Sequence, residues 1–122
     1  MNETKKKQCV LVVDDNPKVL RFIEIDLKLR RFDVMTTTSG DEALEIVRSK
    51  KPDVVLLDII MREKDDFEAL KELRTFSQLP VIAISVNPGN RNDSLRLGAD
   101  DFTTKPFYPN EMVKKIQALL GD

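Results

Sequence analysis

No histidine occurs anywhere in the 122 residues. That removes histidine-based catalytic triads, imidazole metal ligands and phosphohistidine carriers together, and leaves carboxylates, hydroxyls and lysines for any chemistry. The single cysteine, Cys9, cannot form an internal disulfide. It sits in the apolar run CVLVV and reads as a buried, inert thiol in a reducing compartment, because apolar surroundings raise a thiol's pKa. No apolar stretch approaches the ~20 residues needed to cross a bilayer, and no apolar signal-peptide segment precedes the first expected strand, so a cytoplasmic location with no membrane partner is expected. Charge of one sign is not in excess either. The 20 Lys and Arg against 21 Asp and Glu leave a net charge of −1, which argues against direct nucleic-acid binding by this chain. Lys5, Lys6 and Lys7 read as a solvated terminal run. Internal repeats, low-complexity tracts and linkers are absent, and the length suits one domain, residues 1–122 with a core at about 8–120, either free-standing or cut at a domain boundary.

What the chain does have is an alternation of short apolar runs with longer segments of helical period. That is the pattern of a parallel sheet covered by helices on both faces, an α/β doubly wound fold. Strands are expected at 8–13, 33–37, 53–57, 80–85 and 98–103. Asn16 followed by Pro17 starts a helix with Val19, Leu20, Ile23 and Leu27 on one face. Ser39 and Glu42 have the spacing of a capping box for a second helix burying Ala43, Leu44 and Val47. A third helix is expected over 67–76, a short polar fourth over 91–97 behind the turn-forming Asn87-Pro88-Gly89-Asn90, and a fifth from Pro109 with Met112, Val113, Ile116, Leu119 and Leu120 on one apolar stripe.

Several strands end abruptly in a reactive side chain. VLVV runs into Asp14-Asp15, VVLL into Asp58 and VIAI into Ser85, while Lys105-Pro106 follows the fifth strand. Open parallel sheets bind ligands outside the carboxyl ends of their strands, at the point where strand order reverses. If the order is 2-1-3-4-5, strands one and three are neighbours and Asp14, Asp15 and Asp58 crowd together. Three such carboxylates repel one another, and either some take up protons or a cation neutralises them. Mg²⁺ suits an all-oxygen set of two or three aspartates with no histidine or thiolate nearby. An aspartate beside such a cation can attack a phosphoryl group to give an acyl phosphate, with a lysine and a serine hydroxyl offsetting charge on the transferred group.

These pieces, VLVVDD at 10–15, VVLLDIIM at 54–61, IAIS at 82–85 and GADDFTTKPF at 98–107, resemble the receiver domains of two-component response regulators across essentially the whole chain. The resemblance implies a five-stranded flavodoxin-like (βα)5 sheet in the order 2-1-3-4-5. It implies Asp58 as phosphoacceptor, Asp14 and Asp15 as the acidic metal pair, and Ile60 as donor of a backbone carbonyl to Mg²⁺. It makes Ser85 the switching hydroxyl, Lys105 the phosphate-binding lysine, Phe102 the switching aromatic, and Lys105–Pro106 a candidate cis bond. On this reading the domain takes a phosphoryl group from a histidine kinase or phosphotransfer protein and passes the signal to an effector domain or protein. It catalyses only its own phosphorylation and dephosphorylation. The face formed by the fourth helix, fifth strand and fifth helix is the expected switch and a possible homodimer surface. Arg91 with Glu111 and Asp101 with Lys115 are candidate cross-subunit pairs there. Lys18, Arg21 and Glu24 on the first helix are candidates for partner choice.

Three departures from the family pattern stand out. Arg62 replaces the usual proline, Asp66 the usual glycine, and Val86 follows Ser85 where a small residue is typical. Arg62 and Val86 are expected to alter phosphotransfer or dephosphorylation rates and not the identity of the site. Arg62, Asp66 and Val86 together leave room for a competing reading, a non-phosphorylated pseudo-receiver serving as an interaction module. A third reading is a Mg²⁺-dependent hydrolase or phosphatase with Asp58 as nucleophile, an arrangement that usually needs a general acid and a substrate-capping insertion, for which this sequence has little length to spare.

Overall fold

The computed structural model describes residues 7–61 and 67–121. Apolar, β-branched runs form strands β1 (Cys9–Val13), β2 (Asp33–Thr37), β3 (Val54–Asp58), β4 (Val81–Ser85) and β5 (Asp101–Thr104). Helices α1 (Pro17–Leu29), α2 (Gly40–Lys50), α3 (Glu68–Arg74), α4 (Arg91–Arg96) and α5 (Pro109–Leu120) separate them, and a 3-10 turn, Pro88–Asn90, leads into α4. All pairings are parallel and the order is β2-β1-β3-β4-β5, as expected. Alternating strand residues feed two cores. Leu11, Val55 and Ala83 pack with α2 and α3, whereas Val10, Leu56 and Ile82 pack with α1 and α5. Each fully buried aliphatic side chain contributes ~1.5–3 kcal/mol, so covering both faces is what holds the sheet.

Local chemistry explains most element boundaries. Asn16 caps α1 by accepting from the Lys18 N–H at 3.0 Å, with Pro17 at the first helical position. Ser39 caps α2 by accepting from the Glu42 N–H at 3.2 Å. The reciprocal half of that capping box is replaced: the Glu42 carboxylate takes the Thr37 hydroxyl, and the Ser39 N–H donates to Thr37 Oγ1 at 3.1 Å.

Elsewhere the structure shifts the expected limits. Asp53 stays outside β3 because its carboxylate and N–H both bond the Cys9 backbone, at 2.7 and 2.9 Å. Pro80 has no N–H to give the ladder, and β4 starts at Val81. Gly98, at φ 111°, turns the chain ahead of β5, which begins only at Asp101. Phe67, at φ 70°, lies outside α3, which ends at Arg74. Cys9 is half-buried, not buried; burial, with Asp53 and Asp33 nearby, pushes its thiol pKa up, in keeping with an inert thiol. No helix among the described residues is long and apolar enough to cross a membrane.

Candidate functional site

The carboxyl ends of β1, β3, β4 and β5 deliver the polar residues to one place. β1 and β3 lie side by side in register, Val13 opposite Leu57, and the next residues are Asp14 and Asp58. Because α1 covers one face of the sheet and α3 the other, the strand order reverses between these two strands and opens the crevice there. Carboxylate oxygens of Asp14, Asp15 and Asp58 lie within 4.8 Å of one another. Asp14 and Asp58 are buried and Asp15 is partly exposed.

Lys105, directly after β5, is the countercharge. Its ammonium donates to Asp14 Oδ2 at 2.5 Å and to Asp58 Oδ2 at 2.9 Å. Its N–H donates to the Ser85 carbonyl at 2.9 Å, and the Lys105–Pro106 bond is cis, as the resemblance to receiver domains implies. The remaining carboxylate oxygens are held by backbone: the Asn16 N–H donates to Asp14 Oδ1 at 2.9 Å and the Ile60 N–H to Asp58 Oδ1 at 3.0 Å. Burial pushes the Asp58 pKa above its ordinary value; Lys105 opposes this without cancelling it, and the Asp14 charge adds to the rise. For Lys105, burial pulls the pKa down, but its bonds to Asp14 and Asp58 outweigh that and leave it raised.

Ser85 ends β4, adjacent to β3 with Asp58 opposite Ile84, and is fully buried. Its hydroxyl accepts from the Asn87 N–H at 3.0 Å and donates to Asn90 Oδ1 at 2.7 Å. Phe102 is 3 % exposed and already packed in the core beneath α2 and α3. Ile60 is exposed, as is Val86, and Arg62 and Asp66 lie outside the described residues. Lys115 pairs with Asp101 at 3.3 Å within the same chain.

Two features were missed by the sequence reading. One is Asn90, whose only signal was membership of a turn-forming run. The other is a cleft of about 470 Å³ whose apolar walls include Phe22, Val86, Pro106 and Phe107, with Lys105 on its edge. Phe22 and Val86 are both more than half exposed.

A doubly wound sheet with three carboxylates and a lysine at its switch point defines a class of α/β domain built to hold a small anionic group or a cation above the strand ends. The response regulator receiver domain model matches residues 10–117. In structure, the chain resembles the receiver domain of Francisella response regulator 1452, with a TM-score of 0.88 at 31% identity over 94% of this chain and 98% of that one. It also resembles the beryllofluoride-activated N-terminal receiver domain of Klebsiella pneumoniae RstA, with a TM-score of 0.87 at 30% identity, covering 94% of this chain and 100% of that one. In sequence it is 38% identical over 120 residues to the "Probable transcriptional regulator ycf27" of Guillardia theta, covering 97% of this chain and 46% of that protein. The chain spans about half the length of the curated relatives it matches. The chain belongs to the response regulator receiver domain family of two-component signalling.

Proposed function

We propose that this receiver is a phosphorylation switch in which Asp58 accepts a phosphoryl group from a histidine kinase or a phosphotransfer protein. The observation that carries the reading is the bridge of Lys105 across Asp14 and Asp58, which sets a lysine cation between one member of the acidic pair and the would-be nucleophile. The three carboxylates fit a hard divalent cation: all their ligand atoms are oxygens, and oxygens of all three lie within 4.8 Å of one another. Asp14, Asp15 and Asp58, with the Ile60 carbonyl, would hold Mg²⁺. Bound there, the ion supplies charge neutralisation for the incoming phosphoryl oxygens.

In the transfer, an Asp58 carboxylate oxygen forms a bond to phosphorus as the bond from phosphorus to the donor's imidazole nitrogen breaks, and the electron pair leaves with the imidazole. Lys105 then exchanges its Asp58 contact for a phosphoryl oxygen, and the Ser85 hydroxyl donates to another. The response spreads from Ser85 toward α4 and β5, with Phe102 in the core beside them, making the α4-β5-α5 face the output surface and a possible homodimer contact. The first turns of α1, with exposed Lys18 and Arg21 and partly exposed Glu24, and the cleft beside Lys105 are where the phosphodonor docks. The output is an effector domain or protein in the cytoplasm, and the domain turns over no external substrate.

Intact-mass spectrometry after incubation with acetyl phosphate tests this. A phosphate adduct is expected in wild type with Mg²⁺, and none is expected without Mg²⁺ or in Asp58→Asn. A wild-type chain that takes up no phosphate would instead make this a pseudo-receiver that acts as an interaction module.

A further inference from the structure

Both hydrogen bonds of the Ser85 hydroxyl run toward the segment that follows β4. It accepts from the Asn87 N–H at 3.0 Å and donates its one proton to Asn90 Oδ1 at 2.7 Å. A hydroxyl has a single O–H, so it cannot donate to Asn90 and to a phosphoryl oxygen at once. Ser85 is fully buried, so water offers its proton little alternative. Asn90 is well placed to hold that proton. Its N–H donates to the Asn87 carbonyl at 3.0 Å, and Asn87 Oδ1 accepts from the Gly89 N–H at 2.9 Å, so the turn is closed on itself. The next residue, Arg91, begins α4.

The geometry points to Asn90 as the latch of the resting state: its side-chain oxygen competes for the Ser85 proton, and phosphorylation of Asp58 releases α4 by winning that proton away. The inference rests on the phosphoacceptor reading of Asp58. A phosphoryl oxygen is a charged acceptor, and hydrogen bonds to ionised acceptors are roughly twice as strong as those between neutral groups, so the exchange runs forward once the phosphate is present. Its yield is reduced by whatever the Asn90 bond contributes to the resting state. Asn90 is thus a positioning residue: it touches neither phosphate nor donor, and acts through Ser85.

Calorimetric titration with beryllofluoride and Mg²⁺, an acyl-phosphate mimic, tests the latch in wild type, Asn90→Ala, Ser85→Ala and the double variant. Loss of one neutral hydrogen bond from the resting state predicts that Asn90→Ala binds about three- to tenfold more tightly than wild type. Asn90→Leu, which keeps the side chain's bulk without an acceptor, is expected to match it. In the Ser85→Ala background the Asn90 substitution should change nothing, because the contested proton is gone. Wild-type affinity in Asn90→Ala, or an equal gain with and without the Ser85 hydroxyl, would overturn the latch and leave Asn90 a turn-forming residue. Failure of wild type itself to bind beryllofluoride would overturn the phosphoacceptor reading, and the latch with it.

Discussion

Asp58 stands under two opposing pressures, desolvation that disfavours its charge and Lys105 that favours it, and desolvation is the larger. The consequence for stability follows from linkage. In the unfolded chain the carboxyl ionises near its ordinary 3.8, whereas in the fold it ionises at higher pH. Its contribution is therefore most favourable below the unfolded value and is lost as pH rises through the folded one. Asp58→Asn removes that cost, so without divalent cation the variant should melt a few degrees above wild type at pH 7. The difference should shrink toward zero as pH falls to about 4, as differential scanning calorimetry across pH would read. Lys105 makes a second prediction at this scale. Its ammonium occupies the Oδ2 atoms of both Asp14 and Asp58, so Lys105→Met should bind Mg²⁺ several-fold more tightly in titration calorimetry while losing phosphoryl uptake. Unchanged Mg²⁺ affinity would mean that the lysine and the cation do not compete for the same oxygens. The carboxylates and the lysine were legible in the sequence because each interrupts or closely follows an apolar run. The partner of the Ser85 proton was not, since a turn asparagine carries no mark of which side chain its amide meets.

Among the elements, the connection between α4 and β5 depends on one partly buried cation. Arg74, from the last turn of α3, donates to the carbonyls of Gly98 at 2.9 Å, Leu79 at 2.9 Å and Ser77 at 3.2 Å. It also pairs with Asp100 at 3.1 Å, and Asp100 in turn accepts from the Val81 N–H at 2.8 Å. One guanidinium thus ties the end of α3, the entry to β4 and the turn before β5, using the fixed fork of donors that lysine lacks. Arg74→Ala should cost about 2–3 kcal/mol in urea unfolding, because it leaves partly buried carbonyls without donors. Gly98→Ala should also destabilise: at φ 111° a side chain is strained, and its Cβ would lie 3.0 Å from Arg74 atoms. The sequence read strands and long helices well because period and cap residues agree there. It read β5 and α3 less well: Gly98 and Phe67 take positive φ, and the turn bonds of Asp100 and Arg74 are tertiary. The Asp101–Lys115 pair, one candidate for a contact between subunits, closes within the chain at 3.3 Å and is half-exposed, which places it among pairs worth ~0–1 kcal/mol.

Over the whole molecule, topology is what turns scattered residues into a site. The order β2-β1-β3-β4-β5 makes neighbours of Asp14 and Asp58, 44 positions apart, and brings Lys105 back over both. That convergence could be anticipated because strand ends in such a sheet share one edge. The apolar cleft of Phe22, Val86 and Phe107 beside Lys105 could not be, because its walls come from α1, the β4–α4 connection and the β5–α5 connection. If the phosphodonor docks there, Phe22→Asp should slow transfer from a histidine-phosphorylated donor protein at least tenfold. Labelling by acetyl phosphate, which needs no docking surface, should stay near wild type; equal loss with both donors would remove the cleft from the account. The most direct test of the central claim is to treat the phosphorylated chain with borohydride, which reduces an acyl phosphate to an alcohol, and to map the peptides by mass. Homoserine at position 58 is the predicted result, and homoserine at 14 or 15, or at no aspartate, would contradict it.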